Sequence, residues 1–284
     1  MKLFATGLKY PSGPIALADG SLVVVEIEGG DLTRLDRDGS RTVIAHCGGG
    51  PNGAALGPDG AFYVCNNGGL EFRWEHEVRR PVALHRDNTG GYLQRVDPAS
   101  GELEVVFSHV GDRRLGSLND IVFDRHGRCW FVDTTAGEIL LADPSEGRID
   151  TAIAGLEFPN GIDLSADGRL LYVTETYSGR LLRYDVSGRE LGAATVVHTA
   201  TGHGWDGIAL DRAGRIWAAN LEGSGVTVIA PDGAVERTLT TPVYDPHVTN
   251  VCFGGPDLET TYLTSSGRGV VYAMDTPENF SGSA

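Results

Sequence analysis

Six polar residues recur at one position of a repeated pattern along this chain: Ser12, Asn52, Asn119, Asn160, Asp206 and Asn250. Amide, carboxylate and hydroxyl oxygens of this kind suit a hard or borderline divalent cation, and no His or Cys cluster stands among them to favour a softer one. A water-filled channel with structural asparagines is the other use of such a set. His203 and His247 each stand three residues before a member, Asp206 and Asn250 respectively. Either could move protons if it faced the same space, though a lone histidine is more often structural. Ser12, His247 and Asp206 would make a hydrolytic triad if the chain gathered them, but no G-x-S-x-G elbow presents the serine.

The elements that must position these residues are visible as repeats. PSGPIALADGSLVVVE, PNGAALGPDGAFYVCN, LNDIVFDRHGRCWFVD, PNGIDLSADGRLLYVT and WDGIALDRAGRIWAAN share one form, and VTNVCFGGPDLETTYLTS is a looser sixth copy. In the first five, the polar residue precedes a turn glycine by eight: Ser12 to Gly20, Asn52 to Gly60, Asn119 to Gly127, Asn160 to Gly168, Asp206 to Gly214. Each copy reads as strand, turn, strand with period-two patterning, and a third strand follows in all six. A fourth follows in the first five, whereas the sixth runs out of chain. The expectation is an all-β, six-bladed β-propeller over residues 1–284, with the N-terminal KLFATGLKYP supplying the missing outer strand of the last blade. The first strand of each blade lines the channel, so the polar residues converge at one mouth. Glu26, Asn66, Asp133, Glu175 and Asn220 end second strands and return to the same face, either as support for the ring or as turn polarity. The spacing between the second and third copies is 67 residues against 40 to 46 elsewhere. The excess, residues 66–91, carries Trp74, His76 and His85 and is either a lid over the mouth or a solvated excursion.

Composition narrows the partners. The formal net charge of −15 repels nucleic acid and anionic membrane. No apolar run is long enough to span a bilayer, and the start lacks the apolar stretch of an export signal, so a cytoplasmic protein is expected. Cys47, Cys65, Cys129 and Cys252 form no CxxC pair and read as reduced, mostly buried thiols.

The motifs PNGAALGPDG, LNDIVFD, FPNGIDLSADGRLLYVTET, WDGIALDRAGRIWAAN and HVTNVCFGGPDLETTYLTS together resemble the regucalcin/gluconolactonase (senescence marker protein) family of metal-dependent lactonases. The resemblance implies hydrolysis of a small-molecule lactone with one divalent metal ion (Ca, Zn, Fe(II), Mn or Mg) at the mouth. It implies Asn160 and Asp206 as metal ligands, Asp206 also as a possible general base, and Asn119 near the substrate; Asn52 by its ring position, and Trp74 and His76 because the insertion starts on the ring face and is expected to approach Asn119 and Asn160, are placed on the substrate side. Where the family has a glutamate ligand in an E-G-P motif, this chain reads Pro11-Ser12-Gly13-Pro14, a neutral and shorter side chain. Ser117 stands where some sugar-acid lactonases of the family have an arginine. These departures leave open an organophosphate-type esterase, or a propeller that binds metal or ligand without catalysis.

Overall fold

A computed structural model describes residues 1–277, and these contain strands and turns but no helix. Six four-stranded antiparallel units succeed one another along the chain, the fourth with a short fifth strand added. Their first strands are Pro11–Ala16, Pro51–Leu56, Leu118–Phe123, Pro159–Leu164, Gly204–Leu210 and Val248–Gly254, which open blades 1 to 6 in that order. The first-to-second strand turn of each of the first five blades needs a residue at positive φ, which glycine supplies without strain; Gly60, at φ +80°, is one.

The circle closes as the repeats require. Strand Lys2–Ala5 pairs antiparallel with Val270–Asp275, with Lys2 opposite Ala273 and Leu3 opposite Tyr272, and becomes the outer strand of blade 6. The apolar core has one cluster at each junction between blades. The junction of blades 6 and 1 joins Leu8, Leu22, Val24 and Leu35 to Tyr262 and Val271, with Phe4 of the closing strand packed against them. Closure is therefore secured by side chains as well as by backbone pairing.

The excess after blade 2's second strand contains a hairpin, Leu70–Glu75 paired with Val78–Leu84. Its turn residues His76 and Glu77 both have positive φ, at 48° and 66°, the backbone sign of the tight hairpin turns that match strand twist. The thiols are all free; Cys47, Cys65 and Cys129 are buried and Cys252 is half-buried. Among the described residues no helix is long and apolar enough to cross a membrane.

Candidate active site at the channel mouth

Strand register fixes which residues face the axis at equal depth. Pro11, Pro51, Leu118, Pro159, Trp205 and Val248 stand opposite the second-strand residues Glu26, Asn66, Asp133, Glu175, Asn220 and Ser265. One residue further on lie Ser12, Asn52, Asn119, Asn160 and Asp206, as the repeats predict, but the sixth place belongs to Thr249. Asn250 stands one step deeper, level with Gly13, Gly53, Asp120, Gly161 and Gly207. The looser sixth copy has no glycine after its asparagine, so alignment on the Asn alone shifts that blade by one residue.

The deeper ring explains itself sterically. A Cβ at Gly53 would lie 2.4 Å from the Asn119 carbonyl oxygen, and one at Gly207 would lie 2.3 Å from the Asn250 side chain. Glycine lets the strands close in, and the space left across the axis is filled from blades 3 and 6: Asn250 Nδ2 donates to Asp120 Oδ2 at 3.3 Å. Asp120 also accepts from the Ile121 N–H at 3.0 Å. Burial pushes its carboxyl up to about 7 against these two bonds, with the charge of Asp163 adding to the rise. Asp163 is itself pushed up to about 6 by burial, although Leu210 and Leu164 N–H groups donate to it. The sequence signal for Asp120 was present: LNDI carries an aspartate where PNGA, PNGI and WDGI carry glycine.

Above this plug, Asn160 and Asp206 come from adjacent blades. Asn160 is 4% exposed, and its Nδ2 donates to Thr176 Oγ1 at 3.1 Å. That hydroxyl donates in turn to the Trp205 carbonyl at 2.8 Å, and Thr174 Oγ1 donates to the Asp206 carbonyl at 2.7 Å. Thr176 thus ties the Asn160 side chain to the blade 5 backbone, and Thr174, which accepts from the Gly161 N–H at 2.8 Å, ties the two first strands together at Asp206. The Asn160 Oδ1 atom is buried with no hydrogen-bond partner. Asp206 keeps part of its surface open, yet burial first, and the charge of Asp120 second, hold its carboxyl well above the usual carboxylate range. A bare amide oxygen beside crowded carboxylates is an arrangement a cation would relieve. Among the described residues no three His, Cys, Asp or Glu side chains converge to form a cage. Among the ring residues at this level Asp206 is the one carboxylate, beside neutral oxygens of Ser12, Asn52, Asn119, Asn160 and Thr249.

Ser12, on the opposite wall, is buried at 3% exposure. Asn52 and Asn119 are half-buried. Beside Ser12 the sequence reading overlooked Tyr10, whose backbone has φ +61° and whose ring is 4% exposed. Burial pushes its phenol well above the ordinary value, with the charges of Asp206 and Asp245 adding and Arg80 opposing. The Tyr10 ring packs on Phe72 at 4.9 Å and on His247 at 5.8 Å. His247 is held below its ordinary pKa by burial and then by Arg80, so it is neutral at pH 7, and its Nε2 is buried without a partner. No hydrogen bond joins Ser12, His247 and Asp206 among the described residues, so the triad is not assembled. His203 lies on the other side, edge-on to Trp205 at 4.7 Å.

The second-strand ends are buried anchors for the loops of this face. Glu26 accepts from the Lys9 N–H and the Thr33 hydroxyl, Asp133 from the Gly116 N–H, and Glu175 from the Glu157 N–H and Ser178. Asn66 accepts from the Gly50 and Gly68 N–H groups. The inserted hairpin lies on the same face. Arg79 pairs with Glu28 of blade 1 and its N–H donates to Gly267 O of blade 6 at 2.7 Å, while Arg80 reaches Glu222 of blade 5 at 3.3 Å. These contacts run to blades 1, 5 and 6, away from Asn119 and Asn160 on blades 3 and 4. Trp74 is 67% exposed with the Arg79 guanidinium 5.1 Å from its ring, and His76 occupies the exposed turn.

Known proteins share this arrangement of repeats. The profile of the SMP-30/gluconolactonase/LRE-like region matches residues 10–267. A pentonolactonase of Haloferax volcanii is 33% identical over 210 residues, which is 68% of this chain and 69% of the relative. A solved gluconolactonase from Xanthomonas campestris superposes with a TM-score of 0.80 at 20% identity, covering 97% of this chain and 89% of the other. A structure described as a calcium-binding protein, regucalcin, from Agrobacterium tumefaciens gives a TM-score of 0.74 at 21% identity over 96% of this chain and 95% of its own.

Proposed function

We propose that this chain, which belongs to the SMP-30/gluconolactonase/LRE-like family and is a lactonase-type hydrolase, opens a sugar lactone at the Asn160–Asp206 mouth with the help of one divalent cation. The observation that carries the cation is Asn160 Oδ1, a buried acceptor with no partner beside a carboxylate whose proton affinity is raised by its surroundings. Asn160 and Asp206 would hold the ion, with Ser12 facing them in place of a second carboxylate. When bound, such an ion supplies Lewis-acid polarisation of a carbonyl.

The remaining chemistry belongs to the chain's own side chains. Lactone hydrolysis adds water across the ring ester, breaking the acyl C–O bond to give a hydroxy acid. The Asp206 carboxylate, placed at the opening, takes the proton from the attacking water; such positioned bases contribute on the order of 10²–10⁴-fold. Asn52 and Asn119 offer amide groups to orient substrate oxygens. Tyr10, kept as a neutral phenol, and His247, kept as a neutral imidazole, are donors on the Ser12 side. The hairpin, tied to blades 1, 5 and 6, serves as a lid over that half of the mouth. It acts through Phe72 against Tyr10 rather than through Trp74 and His76.

The test is hydrolysis of a panel of aldonolactones with and without chelator, paired with thermal melting in the presence of each candidate cation. A cation that both stabilises the fold and restores chelated activity supports the reading. Activity indifferent to chelator, with no cation raising Tm, removes the metal from it.

A further inference from the structure

Next to the mouth, on blades 4 and 5, a cavity of about 450 Å³ opens on the same face. It lies in the size range of small-ligand sites. Its near wall is Thr176, whose hydroxyl holds Asn160, and its far wall is Leu221 and Glu222. Tyr177 lines it with 78% of its surface exposed, an unusual state for so large a ring, and packs tilted against Phe158 with ring centroids 4.4 Å apart. Phe158 and Glu222 both have positive φ, at 59° and 64°. Non-glycine residues adopt this conformation at a cost, and such positions cluster at ligand sites. His203 lines the cavity and keeps a buried Nδ1 without a partner. No Lys or Arg lines it, and Glu222 contributes a carboxylate.

We infer that this cavity is a second subsite that receives a neutral sugar ring attached to the lactone, so that the preferred substrate class is a glycosylated aldonolactone rather than a single-ring one. An exposed aromatic face receives the C–H face of a sugar. The Glu222 carboxylate accepts from its hydroxyls, and the lack of lining cations disfavours an anionic group. The site adjoins the reacting centre through Thr176 and Asn160, so a two-ring substrate would span both. This inference rests on the lactone reading for its substrate, but the subsite itself is testable without catalysis.

Two measurements separate the two. The first compares kcat/KM for a monosaccharide aldonolactone and for the aldonolactone of a disaccharide, on the natural chain and on Tyr177→Ala. Expected is a preference for the two-ring lactone of roughly tenfold, carried by KM and lost in Tyr177→Ala. Equal KM for the two lactones, an undiminished preference in the variant, or an equal gain from a simple aryl substituent would overturn the sugar subsite. The second is calorimetric binding of the corresponding disaccharide alcohol, which has no lactone to open. Binding that disappears in Tyr177→Ala, in a protein that opens neither lactone, leaves the subsite standing and sinks the lactonase reading. Lactone hydrolysis with no disaccharide binding does the reverse.

Discussion

Asn160 and Asp206 reach the mouth from neighbouring blades, one with a bare amide oxygen and the other with a carboxyl of raised proton affinity. Asn160→Ala should therefore abolish any cation-induced rise in Tm and lower lactone turnover by about 100-fold, within the range for loss of a positioned polar group. Melting curves with and without the ion, beside initial rates, check both. The deeper pair gives a pH signature. Asp120 and Asp163 have folded values of about 7 and about 6, above the usual value of about 4 for aspartate. The folded state thus holds more protons than the unfolded chain between those limits, so cation-free stability should fall as pH rises from about 4 to about 7. Asp120→Asn should flatten that slope; a slope unchanged in the variant would show that Asp120 does not carry it. Asp120 also marks what the repeats conceal. Its neighbour Asn119 fits the pattern and takes the eye, whereas Asp120 breaks a run of glycines, a departure whose meaning depends on how tightly the strands approach at the axis. Tyr10 lies before the repeat begins, at a position of left-handed backbone and with its ring buried, neither of which the repeat pattern marks.

The strand repeats were legible because successive blades use the same physical devices: an apolar second strand buried along its length, a positive-φ turn glycine in the first five and a polar residue one step into the first strand. Asn250 shows the limit of that legibility. Register in a strand is set by hydrogen bonding to its neighbour, and a one-residue difference cannot be seen where the marker glycine is missing. The hairpin's direction was illegible for a different reason. Its length and start place it on the mouth face, but its seat depends on ion pairs from Arg79 and Arg80 to residues far along the chain, Glu28 and Glu222. Replacing the hairpin residues 70–84 by a short Gly-Ser link should leave a folded propeller, since the link lies outside the blade pairing, and should raise KM for lactones by about tenfold through loss of Phe72 against Tyr10. Steady-state kinetics beside the melting curve distinguish this from general damage: a fall in Tm with unchanged KM would make the hairpin a structural clamp and not a lid. Gly53→Ala tests the inner ring, where the new Cβ would meet the Asn119 carbonyl. It should cost roughly 1–3 kcal/mol in denaturant unfolding, the usual range for overpacking.

The closing strand holds the ring of blades together from both ends of the chain, and a core cluster sits at each of the six junctions. Removing residues 1–7 exposes the edge of Val270–Asp275 and the Tyr262 side of the last junction, and should lower Tm for the whole molecule and promote association through the bare edge, seen as a larger species in size-exclusion chromatography. A closed circle is also what allows six equivalent strand starts to hold side chains around one mouth. Asp206 is the one carboxylate among the six mouth-ring positions, and in the proposed reading Ser12 stands where the resemblance implies a second ligand carboxylate. Affinity in oxygen-ligand sites follows ligand charge and rigidity. The most direct measurement is a paired one, cation titration and lactone hydrolysis on the natural chain and on Ser12→Glu. Cation affinity and turnover should both rise in Ser12→Glu, because the new carboxylate faces Asn160 and Asp206 across the mouth. Unchanged affinity together with loss of an activity that the Ser12 chain possesses would contradict a cation-assisted lactonase at this site.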